Sequence, residues 1–279
     1  MSGQGALAGF GDDPSRTELT ADHARELLRA GEMEVLGRLV EASNATLYCS
    51  VSLDGVSVPC VYKPVAGERP LWDFPDGTLA HREMAAYLVS EATGWGIVPP
   101  TVLREGRFGP GMCQLWIDSD PDEELVGLLR GGPAEGWLAV AEAVVDSGPP
   151  AVLAHRDDMR LRRMAVLDVV LNNADRKGGH LLPTRDGHVY GVDHGVCFAT
   201  EDKLRTLLWG WGGERLPDDT IDVLTRLSAE LARDLGRALR EHLDDAEVAM
   251  SATRVSRLLR TRRHPEPWGR WPAVPWPPI

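Results

Sequence analysis

The stretch "LDVVLNNADRKGGHLL" (167–182), followed shortly by "VYGVDHGVCF" (189–198), decides how this chain is read. An apolar run of helical character breaks at Asn172 or Asn173 and places Asp175 on a loop beside Arg176 and Lys177. Gly178-Gly179 reads as the point where the chain reverses, because glycine tolerates sharp turns that other residues resist. Asp186-Gly187 then pins a short hairpin. Asp193 falls at the end of its second strand, ahead of His194-Gly195. One hairpin therefore returns a second carboxylate towards the first. Such a pair can divide labour: one positions or deprotonates a hydroxyl, and the other binds a divalent metal carrying phosphates. Taken singly, each aspartate is an ordinary turn residue, so the order of the surrounding features has to decide.

Upstream, "VPCVYKP" (58–64) sets Lys63 in a strand, where a partly buried ammonium needs an anion. Glu83, on the helix "LAHREMAAYLVSEATG" closed by Gly94, is placed to supply it. "ATLYCSVSL" and "VSVPCVYKP" alternate around the hairpin dipeptide Asp54-Gly55, and "PPTVLREG" with "GMCQLWID" reads as another strand pair. A helix with Thr20 as N-cap precedes them. After the acidic "DSDPDEE" the reading turns helical: "GWLAVAEAVVDSG" (136–148), "DDMRLRRMAVLDVVLNN", "TIDVLTRLSAELARDLGRALREHL" and "DDAEVAMSATRVSRLLRTRR". The tail "HPEPWGRWPAVPWPPI" is too proline-rich for a helix, and its tryptophans predict packing or a protein partner. The expected organisation is a flexible stretch over 1–17, a β-rich nucleotide-binding lobe over 18–117 and a helical lobe over 118–279, with a ligand cleft between the lobes.

Composition narrows the classes. A formal net charge of -12 argues against duplex nucleic acid and against electrostatic docking on anionic lipid. No apolar run approaches the roughly 20 residues of a membrane span. The N-terminus lacks a signal-peptide pattern, so a cytoplasmic protein is expected. Cys49, Cys60, Cys113 and Cys197 sit singly and read as buried, reduced thiols. Arginine outnumbers lysine 27 to three, yet Lys63 and Lys177 both fall inside the motifs singled out above.

Lys on a strand, Glu on the following helix, a loop Asp and a strand-end Asp-x-Gly follow the order of parts in protein-kinase-like folds. "NNADRKGGHLL…VYGVDHGVCF" resembles the catalytic loop and metal-binding segment of the phosphatidylinositol 3-/4-kinase superfamily, in particular type II phosphatidylinositol 4-kinases and the bacterial proteins grouped with them. The resemblance extends over about residues 36–240 and is most specific over 172–198. It implies an α+β, two-lobed kinase-like fold that moves the γ-phosphate of ATP, with Mg²⁺ or Mn²⁺, to a lipid, protein or polyol hydroxyl. By that resemblance Asp175 is the catalytic aspartate and Asp193 the metal ligand. Lys63 holds the α/β-phosphates and is oriented by Glu83. Ser43, Asn44 and Ala45 turn over the phosphates, and the backbone near Leu115 and Trp116 meets adenine.

One position departs from the family. A second metal-binding Asn is expected where this chain has His180, so the metal set becomes Asp193 and His180, with Asn172 or Asn173 as substitutes. The alternative is a pseudokinase that binds nucleotide and acts as a regulatory module. An antibiotic-kinase-like enzyme would share the fold and use the acidic run Asp118, Asp120, Asp122, Glu123 and Glu124. His155, Arg156, Arg160, Arg162 and Arg163 read as a solvated face paired with Asp157 and Asp158, and His81 and His188 as surface residues. Trp209 and Trp211 serve equally as an exposed platform or as core anchors.

Overall fold

The computed structural model describes residues 19–39, 44–143, 150–268 and 271–279. The expected flexible stretch 1–17 and Ser43 lie outside the described residues. The chain begins with helix α1 (Ala21–Ala30), where the Thr20 hydroxyl accepts from the His23 N–H as N-cap. Strands β1 (Glu32–Arg38), β2 (Leu47–Leu53) and β3 (Val56–Pro64) follow. Helix α2 (Leu79–Thr93) ends at Gly94, whose φ of 73° supplies the left-handed cap. With β4 (Thr101–Gly106) and β5 (Gly109–Leu115), the first five strands form an antiparallel sheet in the order β1-β2-β3-β5-β4.

Burial alternates along β3: Val58, Cys60, Tyr62 and Pro64 are buried in the sheet's core and Lys63 takes the other face. That core joins Leu27 and Leu28 of α1 to Cys49, Val51 and Cys60. All four cysteines are buried and free. Cys49 stands directly opposite Cys60, and Cys113 opposite Tyr62, which gathers three of the thiols on neighbouring strands.

The second half contains a sheet where a helix was expected. The run from Gly136 to Gly148 is strand β7 (Trp137–Ala143) as far as it is described. It pairs with β8 (Ala151–Arg156), which also pairs with β6 (Val126–Arg130). Alanine-rich sequence favours helix locally, but the ladder offered by β8 and the seating of Leu138 override that preference. A Cβ on Gly210 would stand 2.5 Å from the Leu138 Cβ, so the glycine makes room for the strand.

Helix α3 (Met159–Leu171) leads to the hairpin β9 (Leu181–Pro183)–β10 (Val189–Gly191). The expected single helix over 220–243 is two, α4 (Asp218–Leu231) and α5 (Asp234–Leu239), because the chain bends at Arg233 and Gly236 packs against the Leu231 carbonyl. Helix α6 (Asp245–Thr261) starts with a capping box between Asp244 and Glu247. Trp209 and Trp211 are core anchors, 9% and 1% exposed, which settles their role against a mobile platform. The basic cluster is paired, but only Arg160 with Asp158 as expected: Arg160 also meets Glu123, Arg162 meets Glu214 and Arg163 meets Asp219. Asp157 instead accepts the Trp211 indole N–H, and His155 is buried in β8 rather than solvated. No described helix is long and apolar enough to cross a membrane.

Candidate active site

A cleft of about 880 Å³ lies between the five-stranded sheet and the β9–β10 hairpin, lined by Lys63, Leu115, Trp116, Asp175, His180 and Asp193 among others. Lys63 Nζ lies 2.6 Å from Glu83 Oε1 and 2.8 Å from Asp193 Oδ1. Burial opposes the ammonium, but the Asp193 and Glu83 carboxylates outweigh it and raise the Lys63 pKa. Lys63 in turn holds the Asp193 carboxyl well below the usual carboxylate range. The Glu83 side chain is buried, and its second oxygen accepts the His194 N–H at 2.9 Å. Glu83 is thereby fixed to both the strand lysine and the segment following Asp193.

Helix α3 stops because Asn172 takes a left-handed conformation (φ 52°), accepts the Lys203 N–H and donates to the Ala199 and Glu201 carbonyls. The chain then presents Asp175, whose carboxylate lies 2.9 Å from Lys177 Nζ. Beneath it, Arg176 and Asp168 form a fully buried ion pair: Arg176 Nη2 lies 2.9 Å from Asp168 Oδ1, and Nε donates to both carboxylate oxygens. Arg176 also donates to the Val192 carbonyl and contacts His194 Nε2 at 2.7 Å. One guanidinium thus grips both flanks of Asp193 from the residue next to Asp175. Burial and the nearby Arg176 keep His194 neutral, its pKa well below the ordinary histidine value.

Three expectations change at this level. Asn173 is buried and both ends of its side chain are engaged: its amide donates to Asp168 Oδ1 and its carbonyl accepts the Asp175 N–H. Asn172 is likewise consumed by the helix cap. The hinge N–H groups of Leu115 and Trp116 already donate to Pro100 and Pro59, so these two amides are not free to meet a base. The Ile117 N–H donates to no acceptor among the described residues, and Ile117 borders the same cleft. Neither Gly178 nor Gly179 uses positive φ; they open a short 3₁₀ turn over Gly178–His180.

Asn44 borders the cleft, and with Ala45 it lines a small adjoining cavity beside Lys63, Glu83 and Asp193. The Asn44 carbonyl oxygen of its side chain accepts the Arg69 N–H at 2.9 Å, and the Ala45 N–H donates to Gly67. A Cβ on Gly67 would meet the Ala45 Cβ at 2.4 Å, so the glycine lets this turn close down. His180 Nε2 approaches Asp193 Oδ2 at 3.5 Å, and burial keeps the imidazole pKa below its ordinary value. A carboxylate beside a neutral imidazole is a donor pair that fits a divalent cation, Mn²⁺ more readily than Mg²⁺. Among the described residues no three His, Cys, Asp or Glu side chains gather as a ready metal cage, so phosphate oxygens would have to complete the shell.

Arg176, Lys177 and His194 are visible in the sequence beside the two aspartates but without partners, and Asp168 is unmarked there by any motif. The signal for Asp168 was present: a lone carboxylate inside the apolar run "AVLDVVL" requires a buried cation, and Arg176 lies eight residues on.

Comparison with known proteins agrees with this layout. The family model described as phosphatidylinositol 3- and 4-kinase matches residues 159–256. Protein Rv2133c of Mycobacterium tuberculosis is 49% identical over 92% of this chain and 95% of its own. Phosphatidylinositol 4-kinase gamma 3 of Arabidopsis thaliana is 33% identical over 201 residues, and the match spans 33% of that longer protein. A solved structure of hydra Fam20 with sugar superposes with a TM-score of 0.55 at 14% identity, covering 89% of each chain, which is a likeness of fold. With a strand lysine, a helix glutamate and two loop aspartates assembled on a kinase-like α+β fold, the chain belongs to the phosphatidylinositol 3-/4-kinase-like superfamily, in a bacterial branch with Protein Rv2133c.

Proposed function

We propose that the chain is an ATP-dependent phosphotransferase acting on a hydroxyl acceptor, with its lobes dividing near residue 117. The observation that carries this reading is the Lys63–Glu83–Asp193 triad, which faces Asp175 within one cleft. Lys63, oriented by Glu83, holds the α/β-phosphates. Asn44 and Ala45 cover the phosphates, and the Ile117 N–H, next to Leu115 and Trp116, receives the base. Asp193 and His180 would hold a divalent cation, which would supply charge neutralisation to the phosphates. Asp175 aligns the acceptor hydroxyl for in-line attack and takes up its proton, while Lys177, 2.9 Å away, orients the Asp175 carboxylate.

Lys63→Ala, Asp175→Ala and Asp193→Ala, assayed for Mg·ATP and Mn·ATP binding and for phosphate release, test the assignment. Asp193→Ala is expected to lose metal-dependent nucleotide binding. Asp175→Ala is expected to keep binding and lose transfer. Full activity in both ends the reading. A second reading, a nucleotide-binding pseudokinase that regulates a partner, is supported by His180 standing where the family has Asn and by the engagement of Asn173 elsewhere. Nucleotide binding by the intact chain without any turnover selects that reading.

A further inference from the structure

The proline- and tryptophan-rich segment 271–279 takes a defined course over the functional side of the molecule. Trp271 stacks on Trp72, ring centroids 5.6 Å apart. The Ala273 carbonyl accepts the Thr206 N–H at 3.0 Å and the Trp209 indole N–H at 2.9 Å. The Pro278 carbonyl accepts the Gly178 N–H at 2.8 Å, three residues beyond Asp175. The two segments under this strap are themselves joined, because the Arg176 N–H donates to Arg205 and the Arg205 N–H to Asn173. The strap is thus seated on the catalytic loop and on the segment after Asp193 together. It delivers Ile279, 55% exposed, into the lining of the cleft alongside Asp175, Lys177 and His180.

We propose that Ile279 is a specificity-determining residue that forms the apolar wall of the acceptor subsite, so that the preferred acceptor is a hydroxyl with hydrocarbon on at least one flank rather than hydroxyls on both. The inference rests on the phosphotransfer reading above. In that reaction the acceptor oxygen bonds to the γ-phosphorus, the bond from that phosphorus to the ADP oxygen breaks, ADP leaves, and the hydroxyl proton passes to Asp175. While its hydroxyl meets Asp175, the acceptor's neighbouring carbons lie against the strap. Hydrocarbon there gains contact with Ile279. A ring hydroxyl at the same place would lose its water and find a side chain that offers neither donor nor acceptor.

The test compares two ring alcohols of the same frame, trans-cyclohexane-1,2-diol and myo-inositol, as acceptors for the labelled γ-phosphate of Mg·ATP. The intact chain and Ile279→Asn are assayed side by side, with Mg·ATP affinity measured by calorimetry. The intact chain is expected to favour the diol in kcat/KM by about tenfold or more. In Ile279→Asn that ratio should shrink to within about threefold, while nucleotide affinity stays within about twofold. Inositol used as well as or better than the diol by the intact chain overturns the inference, as does a ratio that Ile279→Asn leaves unchanged. A chain that binds Mg·ATP and releases phosphate to water, yet transfers it to neither alcohol, overturns it too. Failure to bind Mg·ATP, or binding with no phosphate release to water or alcohol, instead defeats the phosphotransfer reading and takes this inference with it.

Discussion

Replacing Glu83 by glutamine probes the frame that sets the phosphate-binding lysine. The Glu83 carboxylate is buried, lies 2.6 Å from Lys63 Nζ and accepts the His194 N–H at 2.9 Å. Glutamine keeps the volume but only one accepting oxygen, so with packing and the His194 contact retained the charge and the hydrogen bond from Lys63 are lost together. Two unit charges at that 2.6 Å separation interact by ~1.6 kcal/mol at the dielectric of water and ~6 kcal/mol at an effective dielectric of about 20. Lys63 is 21% exposed and has Asp193 as a second partner at 2.8 Å, so the screened end governs. A coupling of about 2 kcal/mol is expected, within the range measured for residues in contact.

The assay is a double-mutant cycle of Lys63→Met, Glu83→Gln and the pair, read by urea denaturation, with Mg·ATP affinity measured on the intact chain and on Glu83→Gln. Glu83→Gln should weaken Mg·ATP binding about tenfold, since a lysine released from one of its anchors no longer keeps its place. A coupling below about 0.5 kcal/mol, the floor for contacting residues, together with unchanged nucleotide affinity would refute the reasoning and leave the pair incidental.

Three further outcomes follow from the packing. Asp168→Asn leaves the fully buried Arg176 without its counter-charge, and calorimetry should record a loss of about 3–5 kcal/mol. Gly111→Ala would place a Cβ 2.5 Å from the Lys63 carbonyl oxygen and 2.7 Å from the Pro64 Cα, both backbone atoms. The β3 and β5 strands must part there, so urea denaturation should show a loss of about 1–3 kcal/mol, with nucleotide affinity falling as Lys63 moves. His264 is buried, and burial, with the Arg162 guanidinium adding to it, lowers its pKa from 6.5 to about 4. Between those values the unfolded chain binds the extra proton, so stability from this group is full above pH 6.5 and is lost as pH falls through about 4. The span is worth about 3 kcal/mol. Urea denaturation across that range should show a pH slope that His264→Gln reduces.

The legible part of the protein was the part with local causes. Thr20 capped its helix and Gly94 closed another through a left-handed turn, as their residue types require. The alternation "VSVPCVYKP" put Lys63 on the face opposite the sheet's core, and a buried ammonium demanded an acid that Glu83 supplies. Asp175 and Asp193 came to one cleft because a two-stranded hairpin can only return to where it began.

What the sequence left open depended on partners distant along the chain. Trp137–Ala143 is a strand because β8 offers it a ladder, and nothing within the segment announces that neighbour. Asn173 looked available until Asp168 and the Asp175 amide claimed both ends of its side chain. The Leu115 and Trp116 amides were promised to a base but are held by Pro100 and Pro59. Gly178 looked like a turn glycine, yet it uses no positive φ, and its amide secures the strap that carries Ile279 to the cleft. Propensity, alternation and caps are short-range and act through a few neighbouring residues, so they sufficed for the strands of the first sheet, the capped helices and the chemistry of the loop residues, but not for strand β7. Hydrogen-bond partners and buried charges are allotted only when segments a hundred residues apart compete for the same groups. The tertiary structure therefore decided which of those residues are free to act.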